Sequence, residues 1–72
     1  MKNFEYKMFR KVWYEYKDEV NLYDNTTTLK VLFEYIEEID NEGWEIINKH
    51  ECRRETEAAY IVELFCKRKV KK

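Results

Sequence analysis

The sequence predicts an α+β fold, a three-stranded antiparallel sheet built in the order β-α-β-β, with spatial order 1-3-2 and one amphipathic helix packed on one face. Three observations carry this. Apolar residues alternate with period two near the start and through the last third of the chain. Between those stretches they recur at helical spacing. The only glycine, Gly43, stands where the helical pattern gives way to the second alternating one, in a chain without proline.

The first strand is expected over residues 4–17. Phe4, Tyr6, Met8, Val12, Tyr14 and Tyr16 fall on one side, interrupted by Arg10, while Phe9 and Trp13 fall on the other among Glu5, Lys7, Lys11, Glu15 and Lys17. That run exceeds the usual strand length, so a bulge near Arg10-Lys11 or an overhanging end is expected. Val20 and Leu22 resume the alternation, which leaves room for a short extra strand near 19–23. Asp24 to Thr28 are residues of the N-cap type. Behind them Leu29, Leu32, Phe33, Ile36 and Ile39 mark the inner face of a helix over 28–41, with Glu34, Glu37, Glu38 and Asp40 outside. Gly43 follows as its C′ cap, because only a residue without Cβ enters positive φ cheaply.

Residues 44–54 and 58–69 read as a hairpin around the loop Glu55-Thr56-Glu57. A loop of that length pairs even positions with even ones. Trp44, Ile46 and Cys52 then share a face with Tyr60, Val62, Leu64 and Cys66, and the helix is expected on this even face. A helix between the first two strands makes them parallel, and the third strand between them makes every neighbouring pair antiparallel.

A chain of 72 residues supports one domain, 1–72, and domains of this size commonly gain stability by oligomerising. Acids and bases nearly cancel at a net charge of −1, which argues against a generic nucleic-acid binder, although residues 67–72 form a basic tail. Nothing approaches an apolar run long enough for a membrane span, and residues 1–5 carry no apolar signal region. A cytoplasmic protein with free thiols is expected.

The segments Phe4-Glu5-Tyr6-Lys7, Asn41-Glu42-Gly43-Trp44-Glu45-Ile46-Ile47 and Leu64-Phe65-Cys66-Lys67-Arg68 resemble a family of short bacterial and phage proteins known as domain of unknown function family 4177. The resemblance touches both ends and the middle of the chain, while Lys11 to Thr28 is longer and more aromatic than the family pattern. It implies the same fold, no particular chemistry, and, through the phage members, an accessory role such as blocking a host defence protein or sequestering a nucleotide-like signal in the host cytoplasm.

With the even face under the helix, Phe9, Trp13, Ile47, Ile61 and Phe65 are expected on an uncovered face, interleaved with Lys7, Lys11, Lys49 and Glu63. Such a patch marks an interaction surface, first of all for a second copy in a homodimer or higher oligomer, and next for a host protein or small anionic ligand. Arg53 and Arg54 near the hairpin tip add a candidate anion contact, against the simpler expectation of pairing with Glu51, Glu55 and Glu57. His50, Cys52 and Cys66 lack the paired spacing of a structural zinc site, so neither metal nor cofactor is expected. The carboxylates of the helix read as a solvated face. One histidine, no serine and no glycine-rich loop leave no nucleophilic triad or phosphate cradle. The expectation is a non-enzymatic binding module that self-associates, with nucleic-acid binding through the basic C-terminus and sheet aromatics, or a purely structural role, as the alternatives.

Overall fold

The central strand of the sheet is the last one in the chain. The structure is a computed structural model describing residues 3–70. It contains β1 (Phe4–Tyr14), a single helical turn α1 (Glu15–Asp18), the main helix α2 (Asn25–Asn41), β2 (Glu45–Arg54), a 3-10 turn (Glu55–Glu57) and β3 (Ala59–Lys69). The sheet order is β1-β3-β2 and both pairings are antiparallel. The predicted α+β class, element order and strand order are those observed. Of the basic tail, Lys71 and Lys72 lie outside the described residues.

β3 is central because its alternate residues supply the core. Tyr60, Val62, Leu64 and Cys66 are essentially inaccessible beneath α2. The helix turns Thr28, Leu32, Tyr35 and Ile39 toward them, four positions on one stripe of a 3.6-residue period. The predicted stripe was rotated from this one: Leu29 and Phe33 are exposed, and Tyr35 takes their place against the edge of Trp13 at 5.8 Å between centroids. Asp24 is the N-cap, its carboxylate accepting from the Thr26 N–H at 2.9 Å, so the helix begins at Asn25 rather than 28.

At the other end, Gly43 adopts φ +90°. Its N–H donates to the Asp40 carbonyl at 3.0 Å and the Trp44 N–H to the Ile39 carbonyl at 3.4 Å. This is the Schellman pair of bonds, which satisfies carbonyls the helix leaves free. Trp44 is thereby pressed into the core with Ile39, and the Arg68 guanidinium lies 4.2 Å above its ring.

The first strand stops at Tyr14, not at residue 17. The Tyr14 N–H donates to the Asp18 carboxylate at 2.7 Å and the Leu22 N–H to Glu15 at 2.6 Å. These side-chain acceptors compete with strand pairing and fold the link into a turn. No strand forms at 19–23 either. Val20 and Leu22 do share a side, but they reach the core from a loop.

The largest departure concerns which side of each strand the helix covers. On β1 it covers Phe9 and Trp13, not the even residues. Arg54 pairs with Ala59 and Cys52 with Ile61, so the hairpin link is four residues, with Ala58 at φ 51° closing the turn. Below a bulge between Ile46 and Asn48 the expected pairing holds, Ile46 opposite Cys66; above it the register is displaced by one residue. The extra residue exchanges the faces, and Lys49, Glu51 and Arg53 now lie on the helix side while Cys52 lies on the other.

Replacing Gly43 by alanine forces a Cβ into positive φ, and a loss of about 1–2 kcal/mol is expected. Urea denaturation measures it; a midpoint equal to that of the unsubstituted protein contradicts the capping role.

Candidate binding face

The same parity that fills the core decides what remains outside. With Phe9, Trp13 and the even residues of β3 under α2, the opposite face of the sheet carries the even residues of β1 and the odd residues of β3. The pairings arrange them in rungs across β1, β3 and β2. Tyr6 lies opposite Lys67, Met8 opposite Phe65 and Asn48, and Arg10 opposite Glu63 and His50. Val12 lies opposite Ile61 and Cys52, and Tyr14 opposite Ala59 and Arg54. No element among the described residues covers this face.

Its middle is polar and its flanks are apolar. Glu63 receives the Arg10 guanidinium at 3.5 Å and approaches His50 Nδ1 at 3.6 Å, an ion pair only when the imidazole is protonated. On one side Val12 and Cys52 flank Ile61, which is itself buried. On the other side Tyr6 is 66% exposed, Ile47 50%, Met8 46% and Phe65 38%, lining a shallow depression of about 320 Å³. Phe4 continues the aromatic series beside Tyr6, with the Lys67 ammonium 4.7 Å from its ring centre.

The predicted surface residues therefore separate. Ile47, Ile61 and Phe65 are on the open face. Phe9 and Trp13 are not: Trp13 is buried, stacked on Tyr60 at 5.6 Å, and Phe9 packs edge-on to Trp44 at 5.4 Å. Lys11 sits over the rings of Trp13 and Tyr35 on the helix side, and Lys49 pairs with Glu51 at 3.0 Å. Arg53 donates to Asn25 Oδ1 and Thr28 Oγ1, both at 3.1 Å, and so ties the hairpin to the start of α2. Arg54 reaches Glu57 at 3.8 Å. Tyr6 and Met8, assigned to the inner face from the sequence, are the open-face residues that parity concealed; the bulk of Trp13 opposite Tyr60 was the available signal.

A second constellation lies between β2 and the helix. The Tyr60 hydroxyl, in a buried side chain, donates to Glu51 at 2.6 Å. Burial and the adjacent carboxylate push the Tyr60 phenol well above its ordinary range, while that bond and Lys49 hold the Glu51 carboxyl below its own. A phenol kept protonated and a carboxylate kept ionised form a brace. Burial also raises the Cys66 thiol, and Cys52 faces the opposite side of the sheet. No group of three metal-ligating side chains occurs among the described residues.

A further concavity, a groove of about 710 Å³, lies between α2 and the start of β2. Its floor is Ile36, Trp44 and Ile46, which seal the helix to the sheet, and its rim is Glu34, Glu37, Asp40 and Glu45. Its rim is acidic, whereas the open face carries aromatic and basic side chains. Among the described residues no helix is long and apolar enough to cross a membrane. Comparison with protein-family models, curated proteins and solved structures finds no match.

The brace predicts a stability profile with two limbs. Because the folded-state pKa of Glu51 is depressed, its contribution is present above its ordinary value of 4.5 and is lost as pH falls below it. Because that of Tyr60 is raised, its contribution is complete below pH 10 and declines as pH rises beyond it. Tyr60→Phe should cost about 1.5 kcal/mol at pH 7 and flatten the alkaline limb in thermal melts. An alkaline limb of unchanged slope contradicts the assignment.

Proposed function

We propose that the chain is a small non-enzymatic binding module whose working surface is the open face of the sheet. The observation that carries this reading is the cluster of Tyr6, Met8, Ile47 and Phe65, four large side chains exposed together, three on paired strand positions and Ile47 at the bulge. Contiguous apolar surface of this kind is unfavourable in water unless something covers it. Rigid strands also hold the four in fixed register, which suits recognition better than a loop would.

The polar chemistry of the chain supports the same reading. The titratable pair with displaced pKa values, Glu51 and Tyr60, is committed to bracing the fold. A second copy of the chain is the other reading, favoured by the small size of the domain and by the uncovered apolar flank, which a dimer would bury.

Native mass spectrometry of protein purified from its natural host is expected to show a retained ligand or a second copy. Phe65→Glu should remove whichever is bound, whereas Phe33→Glu, on the exposed side of α2, should not. A bare monomer from the host, or equal effects of the two substitutions, contradicts the reading.

A further inference from the structure

The outer surface of α2 and the open face of the sheet differ in charge. Helix α2 carries Glu34, Glu37, Glu38 and Asp40 against Lys30 alone. On the open side the register places Arg10, Arg54, Lys67 and Lys69 against Glu45 and Glu63. The open face is therefore net cationic, with Arg10 paired to Glu63, and the outer surface of α2 is anionic, although Lys7, Lys11, Lys49 and Arg53 lie on the helix side of the sheet.

The cations on that face alternate with aromatic rings. Phe4 lies opposite Lys69, Tyr6 opposite Lys67, and Phe65 opposite Met8 one rung further along. Tyr6 on β1 and Phe65 on β3 are diagonal neighbours on adjacent strands, a placement that separates side chains by about 7–8 Å. Two exposed rings on neighbouring strands of a sheet whose other face is sealed by a helix form a platform on which successive bases can stack. Lysines beside each ring, with Arg10 beyond Met8, lie where a strand's phosphates would follow the bases. Stacking is tolerant of sequence because every base has a π-face.

From this arrangement we infer that the open face binds single-stranded nucleic acid, with bases on Tyr6 and Phe65 and the backbone along Lys67, Lys69 and Arg10. The inference rests on the reading that the open face is the working surface. It requires no groove. The acidic helix lies on the opposite side and would turn away from the polyanion. A second copy would bring two net-cationic faces together, whereas a polyanion complements them.

Fluorescence anisotropy of a labelled oligouridylate or oligothymidylate, titrated with the full chain at 50 mM salt, tests the inference. Tyr6→Ala and Phe65→Ala should each weaken binding by about fivefold or more, the low end for loss of one stacked base. Tyr6→Phe should retain binding, because the ring persists. With about three phosphates contacted, affinity should fall roughly 20-fold between 50 and 200 mM salt. The side chains of Tyr6 and Phe65 lie outside the core, and circular dichroism verifies that the variants fold.

Absence of binding at 50 mM salt overturns the inference, and so does binding that both alanine variants leave unchanged. Light scattering on the same samples separates the two levels of the claim. If no oligonucleotide binds but Phe65→Glu converts a dimer to a monomer, the open face is still the working surface and its occupant is a second copy. If neither changes, both readings fail.

Discussion

Everything in this molecule follows from the burial of one side of β3 beneath α2. Tyr60, Val62, Leu64 and Cys66 exclude water almost completely on that side, and a strand cannot bury one set of alternate residues without presenting the other. The helix is a single layer and the sheet has three strands, and no element among the described residues covers the second face. The same hydrophobic contact that holds the fold together thus creates the exposed surface. β1 and β2 are positioned by their pairing with β3, and the faces of all three are fixed once β3 is placed.

Two local devices make that placement unique. Gly43 ends the helix and turns Trp44 inward within two residues, locking the start of β2 to the helix end. The bulge between Ile46 and Asn48 then exchanges the faces of β2. Above it, Lys49, Glu51 and Arg53 reach the helix side, where Arg53 bonds to Asn25 and Thr28 and Glu51 accepts the Tyr60 phenol. Without the bulge these charged groups would face outward and Cys52 would be turned toward the helix. The hydrogen bond to Glu51 also lets a tyrosine occupy a fully buried position of the central strand, since a buried hydroxyl needs a partner.

Much of this was legible in the sequence. Period-two stretches either side of a helical stretch, with a lone glycine between, are enough to specify element order and sheet order, and Trp44 could be assigned to the core from its place after the cap. The face of β1 was not legible from pattern alone, because that strand has large residues on both sides. Phe4, Tyr6, Met8 and Val12 outnumber Phe9 and Trp13, yet the packing of Phe9 on Trp44 and of Trp13 on Tyr60 decides the matter. A bulge leaves no marker in residue types when the inserted residue is another isoleucine, so the exchange of faces at Ile47 was hidden. The candidate surface inherited both difficulties: Ile47, Ile61 and Phe65 were placed on the uncovered face, while Tyr6 and Met8 exchanged places with Phe9 and Trp13.

The uncovered sheet is the claim on which the functional reading stands, and residue-resolved NMR addresses it most directly. Amide and side-chain shifts of the labelled protein, followed during titration with an unlabelled oligouridylate, should move at Tyr6, Met8, Phe65 and Lys67. Those of Leu29, Phe33 and Glu37 on the far surface should stay in place. Shifts concentrated along α2 and its acidic groove, with the sheet signals unmoved, would contradict the assignment.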